Sequence, residues 1–467
     1  MFKLFREKKD KYNRKCIWRV QSLLSNQPES ETGFKIQFDE ISEQDFLKMS
    51  SALSNCSNLQ VLNLNFDNHC VISDQSIQAL ATSLQNCKNV FYFSLRLNCL
   101  DQLTEKGVQD LGLILERFKD LTKLKLQIKC LNDEKSKQIL FQALAKCLKL
   151  QFLALIFNWF EFEDADAKYL GVCLSNCVNL TTFKLKSLSQ KMGYKGIQDL
   201  FFALTNCSKL STILIEIRFK YHENDYEHQL DQIGICSALP YFPKLSKLKL
   251  ELHKEVIGAK SLLDLGNDLA GCSNLQILEL SFMNEMSSKC TLELGSALAK
   301  SSSLSILKLD LSQNKIDDEG VSNLGFTLKN CSKLSNLDLN LAENNFGKQG
   351  VSHLITYLSS NTSLTTLKLN LQQNKLDDEA VSGIGSSFIK SSKIRNLTLE
   401  LMENEIDKQG VKELGSAFQS WDNIQIITID ISYNKLRDKS ESEKLYYYMF
   451  KMKRLVQKYL GYSYYNN

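Results

Sequence analysis

LSILKLDLSQNKIDDEGVSNLGFTLKNCSK, residues 304–333, decides how the whole chain is read. Leu307, Leu309 and Leu311 alternate with Lys308 and Asp310, the period-two pattern of a strand with one buried face. Asn314 ends the strand, and its amide can bond backbone groups of its own turn and of a neighbouring one. Asp317 or Asp318 supplies a helix N-cap, with acids in the first turn. Val321, Leu324 and Leu328 then recur at helical spacing and turn one apolar stripe toward the strand layer. Gly325 leaves room for a closely packed neighbour.

The unit recurs along the chain. Its leading apolar residue falls at Leu59, Val90, Leu121, Leu150, Leu180, Leu210, Leu245, Leu275, Leu304, Leu334, Leu364, Ile394 and Ile424. A degenerate unit precedes these, with Phe34, Ile36 and Ile41 at strand positions and Phe46, Met49 and Leu53 on its helix. The expectation is about fourteen units of strand, turn, helix and turn, with parallel strands side by side and helices outside, because one unit alone cannot bury its own leucines. Residues 26–436 form the array, flanked by a basic amphipathic N-terminal helix or cap over 1–25 and a basic aromatic helix or cap over 437–467. Leu4, Phe5, Ile17, Trp18, Leu23 and Leu24 mark the first helix. Leu445, Tyr448, Met449, Met452, Leu455, Val456 and Tyr459 predict the second over 443–460; covering an open end of the array is the first role of both helices, and membrane or calmodulin binding is the alternative.

The pattern L-x-x-L-x-L-x-L-x-x-N-x-I/L-x-x-x-G/A-V-x-x-L/I-G resembles the ribonuclease-inhibitor class of leucine-rich repeats, over residues 34–436 and most regularly over 275–436. One extra x-L pair departs from the common unit and predicts a longer strand. The resemblance implies an α/β fold: a right-handed solenoid, or horseshoe, with strands on a concave face that binds proteins and helices on the convex face. Members include inhibitors, innate-immune receptors and the activating protein of the Ran GTPase. A GTPase-activating role is therefore the alternative reading. That relative ends in an acidic tail, whereas this chain ends basic, and its catalytic asparagine has no assignable counterpart in the irregular early turns.

Composition agrees with a folded scaffold. Of 467 residues 43% are apolar and 24% charged, only three are proline, and no linker divides the chain. No apolar run reaches the roughly 18–20 residues that cross a bilayer. The charged start, MFKLFREKKDKYNRK, lacks the apolar region of a secretory signal, so the expected location is cytoplasmic, intracellular and reducing. Residues 1–25 hold eight Lys/Arg against two acids and residues 437–467 seven against three; with a net charge of +4 overall, the span between is acidic. Seven of the fourteen cysteines (Cys56, Cys87, Cys147, Cys177, Cys207, Cys272, Cys331) share one turn position, which suits small buried thiols better than disulfide or metal chemistry.

The usual catalytic signatures, such as G-x-x-x-x-G-K-S/T, G-x-S-x-G and H-E-x-x-H, are absent, and no enzyme activity, cofactor, metal or small-molecule substrate is expected. His222 and His228 lie in an insertion, FKYHENDYEHQLDQ, that reads as a polar surface loop. The DDE triplets at 317–319 and 377–379 read as helix caps rather than paired catalytic acids. Strand positions facing away from the leucines are the functional candidates. The early ones are Arg96, Lys123, Lys125, Lys129, Lys184 and Lys186; the later ones are Glu251, Glu279, Asp310, Asp338, Glu400 and Asp430, mixed with Lys249, Lys308 and Lys368. Beside the basic group stand Phe152, Ala154, Ile156 and Asn158, followed by Trp159 and Phe160, an apolar centre with a charged rim. The partner expected there is a protein, with the lysines favouring an acidic one. Nucleic acid is disfavoured because regular aromatic platforms are missing.

Overall fold

The computed structural model describes residues 32–98, 103–129, 133–158, 162–187, 192–218, 237–253, 259–282, 286, 288–388, 393–436, 439–452 and 455–461. The chain forms two compact units, 1–220 and 221–467. The N-terminal helix expected over 1–25 and the insertion with His222 and His228 lie outside the described residues.

In the first unit the strands are β1 (Gly33–Ile41), β2 (Val61–Cys70), β3 (Tyr92–Leu97), β4 (Lys123–Lys129), β5 (Phe152–Asn158), β6 (Thr182–Ser187) and β7 (Thr212–Arg218). They pair in chain order, all parallel, and a helix follows each of β1 to β6. In-register pairing aligns Phe34, Leu62, Phe93, Leu124, Leu153, Phe183 and Ile213 in one fully buried row. The degenerate first repeat is real: Phe46, Met49 and Leu53 of helix Glu43–Leu53 are buried.

The second unit holds β8 (Lys247–His253), β9 (Ile277–Phe282), β10 (Ile306–Asp310), β11 (Asn336–Asn340), β12 (Thr366–Asn370), β13 (Asn396–Glu400), β14 (Ile426–Asp430) and β15 (Gln457–Gly461), again parallel and in order. Leu307, Leu309 and Leu311 are at most 1% exposed, as the alternation requires. The extra x-L pair extends the ladder beyond the strand, since Leu311 N–H donates to Asn340 O at 2.8 Å. The single helix expected over 443–460 is a correction. Helix Lys439–Phe450 is followed by β15, whose residues pair with β14 from Ile426↔Gln457 to Asp430↔Gly461. Backbone bonding to an open sheet edge outweighs the weak helical periodicity there.

Three kinds of polar contact link neighbouring repeats within each unit. Asn344 Nδ2 donates to Leu341 O of its own turn at 3.0 Å and to Leu311 O of the preceding repeat at 2.9 Å, and Asn374, Asn404 and Asn434 repeat the arrangement. Directly before these amides and Asn314, five non-glycine residues (Gln313, Glu343, Gln373, Glu403 and Tyr433) hold φ between 51° and 57°, the left-handed conformation the turn requires.

The second ladder caps helices. Asp317 accepts from Gly320 N of its own helix at 2.9 Å, while Asp318 accepts from Gly347 N and Gly350 N of the following repeat, both at 2.8 Å. Helix Lys348–Ser359 begins after a glycine and has no cap side chain of its own, so its cap comes from the preceding repeat. Asp164 does the same for Gly193 and Gly196. A Cβ at Gly350 would sit 2.8 Å from Asp318 Cα, which explains the glycine. Gly325 is equally constrained, with Leu354 Cα 2.9 Å from a would-be Cβ.

The third ladder is the cysteine turn. Cys87 Sγ donates to Cys56 O at 3.3 Å and Cys207 Sγ to Leu174 O at 3.3 Å. Ten cysteines, the seven turn cysteines among them, are free and buried; Cys16, Cys99, Cys130 and Cys236 lie outside the described residues. Burial pushes the thiols of Cys147, Cys177, Cys272 and Cys331 up to about 12. They stay protonated and unreactive at neutral pH.

Leu309→Ala should cost roughly 2–5 kcal/mol in denaturant melts, whereas Lys308→Ala beside it should cost about 0.5 kcal/mol or less. Equal losses would mean the alternation is misassigned. Asp318→Ala should cost about 1 kcal/mol. In hydrogen exchange it should expose the amides of Gly347 and Gly350 while leaving Gly320 protected, and Asp317→Ala should do the reverse.

Candidate functional site

The outward strand face of the first unit is built by simple alternation. On β4, Leu124, Leu126 and Ile128 are buried, which leaves Lys123 and Lys125 exposed and Gln127 and Lys129 half-buried. Register then sets Lys123 beside Phe152 and Thr182, Lys125 beside Ala154 and Lys184, and Gln127 beside Ile156 and Lys186. Adjacent strands lie about 4.8 Å apart, so these side chains share one surface.

Phe152 and Ile156 are half-buried on this outward face. The core behind them is filled by other rings: Phe157 stacks on Phe162 at 5.6 Å and meets Phe141 at 6.4 Å. Ala154 also faces outward but is only 2% exposed, covered by the longer side chains on either side. Leu214 of β7, half-buried and in register with Lys184, extends the apolar set; its parity within TILIEIR marks it in the sequence, although no charge pattern draws attention to it. Trp159 and Phe160 lie outside the described residues, as does the side chain of Asn158.

The basic residues divide into paired and unpaired. Arg96 Nη2 bonds Asp67 Oδ1 at 3.1 Å, and Lys186 is ion-paired with Glu216 of the next strand. The side chains of Lys123, Lys125 and Lys184 make no hydrogen bond or ion pair among the described residues, and they stand around Phe152, Ala154 and Ile156. From β3 to β7 six basic side chains, the five lysines and Arg96, face outward against one described strand carboxylate, Glu216.

The second unit presents a different strand face. Lys249, Glu279, Lys308, Asp338 and Lys368 stand side by side on five consecutive strands, with alternating sign. Beside this row run Glu251, Ser281, Asp310, Asn340, Asn370, Glu400 and Asp430. The first row and the stretch of the second from Glu251 to Asn370 line a concavity of about 320 Å³. Most charges there are answered: Lys247–Glu279 at 2.8 Å, Lys249–Glu251 at 2.8 Å and Lys368–Glu400 at 3.0 Å. Burial opposes ionisation of Glu279, but the hydrogen bond from Lys247 and the fields of Lys247, Lys308 and Lys249 outweigh it and hold its carboxyl below the usual range. Asp338 goes the other way. Burial raises it, Lys368 and Lys308 compensate only in part, and Glu400 and Asp310 add to the rise.

The DDE triplets are helix caps: Asp377 accepts from Ala380 N at 2.9 Å and Asp378 from Asp407 N at 2.8 Å. Among the described residues no group of three His, Cys, Asp or Glu side chains could hold a metal ion, and no helix is long and apolar enough to cross a membrane.

A family model described as Leucine Rich repeat matches residues 302–325, almost the whole of the strand, turn and helix core of the unit read first. No curated protein matches the chain.

Asp338 binds its proton more readily in the folded chain than in the unfolded one. Its favourable contribution is complete below the ordinary aspartate value of about 4 and is lost as pH rises through the raised folded value. Asp338→Asn should therefore raise the melting temperature at pH 7 relative to the parent, and the gain should vanish below about pH 4. A loss of stability at pH 7 would show that the flanking lysines, not burial, dominate.

Proposed function

We propose that this leucine-rich-repeat protein is a noncatalytic scaffold that holds an acidic protein partner on the strand face of its first unit. Parallel strands each followed by a helix, together with the matched repeat, fit a leucine-rich-repeat array, and a repeat of this kind suggests protein binding. The observation that carries the finer reading is the surface around β5. Phe152 and Ile156 face outward while other rings fill the core behind them, and the side chains of Lys123, Lys125 and Lys184 beside them form no ion pair among the described residues. Half-exposed apolar groups supply contact area that water solvates poorly. Unpaired lysines steer an acidic surface and orient it, acting on association rate more than on affinity.

Lys186 and Arg96 contribute differently. Each is already paired, so a partner acid must displace Glu216 or Asp67 to reach it. Their role is to position neighbouring side chains. A reducing compartment is part of the same reading, supported by the burial of ten cysteines within the repeats.

Substituting Phe152 and Ile156 together with serine should change folding stability by no more than about 1 kcal/mol, while weakening capture of the partners recovered by the parent chain. Reversing Lys123, Lys125 and Lys184 to glutamate should slow association and abolish its dependence on salt. If the serine double variant unfolds, these side chains belong to the core. If it folds and recovers every partner of the parent, binding lies elsewhere.

A further inference from the structure

The last strand breaks the rule that the other strands obey. Register places Lys458 of β15 opposite Ile427, in the row that every other strand of the second unit fills with a buried leucine or isoleucine. Lys458 lies over the rings of Tyr446 and Phe450 on helix Lys439–Phe450, and Lys451 lies 4.4 Å from the ring centre of Tyr447. The aromatic side chains stay in water nonetheless. Tyr447 is 58% exposed, Phe450 63% and Tyr459 62%, with Val456 at 81%. A cap that only closes a repeat array presents a polar outer face, and this one does not.

Charge restricts what can cover it. Residues 437–467 carry seven basic residues against three acidic ones, and Lys444, Lys451 and Lys458 all belong to the helix, strand and connection that form this face. A second copy would bring the same lysines against themselves, and lysine on an edge strand is a known obstacle to edge-to-edge pairing. Single-stranded nucleic acid needs flat ring platforms. Here Tyr446 meets Phe450 at 88° and Tyr447 meets Tyr448 at 63°, and an ammonium group already lies over one face of Tyr446, Tyr447 and Phe450. Tyrosine, phenylalanine and lysine together match the headgroup zone of a bilayer, where rings enter the boundary and lysine stems extend toward the phosphates.

We propose that the face formed by helix Lys439–Phe450 and β15 docks on an anionic phospholipid surface, with Tyr447 and Phe450 entering the headgroup layer and Lys444 and Lys451 meeting the lipid charge. The attraction is local, since each lysine near such a surface acts within one Debye length.

The test is flotation of the full chain with phosphatidylcholine vesicles, with and without phosphatidylserine. The parent should float only with phosphatidylserine vesicles and should be released by high salt. Lys444→Glu with Lys451→Glu should weaken binding by more than about tenfold. Tyr447→Ser with Phe450→Ser should weaken it too, with an unchanged melting temperature. A Phe450→Trp variant should show a blue-shifted emission, quenched by brominated lipid, when vesicles are added. Failure to float with phosphatidylserine vesicles overturns the proposal. So does flotation without ring insertion, or equal affinity for a single-stranded oligouridylate, either of which would make the face a general polyanion site. Loss of floating in the Phe152→Ser, Ile156→Ser variant would also count against it, because neither residue belongs to helix Lys439–Phe450 or β15.

Discussion

No repeat of this chain can bury its own leucines, and every other feature depends on that deficit. A strand such as Ile306–Asp310 offers two inward leucines and a short apolar stripe on the helix that follows. Burial is completed only when Leu307 and Leu309 lie in register with Leu337 and Leu339 on one side and with Leu278 and Leu280 on the other. Apolar contact alone tolerates sliding between neighbours. The asparagine amides and the carboxylate caps do not, because each must reach particular backbone groups of an adjacent repeat. Register is thus set by polar groups, while most of the stabilisation comes from the leucines.

Substitution within the ladders shows the same logic. Asn361 stands where other repeats have cysteine, and its amide donates to Leu328 O and Cys331 O of the preceding repeat. Thiol or amide serves as the donor there, whereas Phe118, Phe242 and Trp421 fill the same slot with a buried ring in other repeats. Lys137 and Asp166 form an ion pair at 2.6 Å with both side chains less than 10% exposed, between the helices of consecutive repeats. Asp166 occupies a helix position held by glycine at 107, 196, 320, 350 and 410, and it also accepts from Glu163 N, closing its own capping box. Such a pair is costly to break from one side, since the remaining charge is buried without a partner. It replaces an apolar contact with a specific one, joining two repeats whose helices lack the regular glycine spacing.

Much of the fold was legible because its periods are short and strict. Alternation by two places Lys123, Lys125, Phe152 and Ile156 on the outward face, and the structure keeps them there. The DDE triplets were legible as caps, but not that Asp318 serves the next helix, because spacing along one repeat says nothing of its neighbour. β15 was hidden for a similar reason. Lys458 occupies a core position, and a lysine there erases the strand signal while Tyr448, Met449 and Met452 maintain a helical one. Which lysines are free was also out of reach. Lys184 and Lys186 are equivalent in the alternation of β6, and only the residue opposite each on β7, Leu214 or Glu216, separates them.

That last distinction explains why the two strand faces differ in what they offer a partner. In the second unit Glu279 is hydrogen-bonded to Lys247, Lys249 is bonded to Glu251, and Lys368 is bonded to Glu400. An incoming protein must separate such pairs or lie over them, and either choice strips water from charges already satisfied. Each pair is modest, about 1 kcal/mol or less where solvent reaches it, but several lie side by side and would be disturbed together. Around β5 the balance is reversed. The side chains of Lys123, Lys125 and Lys184 form no ion pair among the described residues, and the apolar groups between them lose unfavourable hydration on contact. An acidic surface there would gain charge pairing without breaking any ion pair described for Lys123, Lys125 or Lys184, which favours the face around β5 as the proposed binding surface.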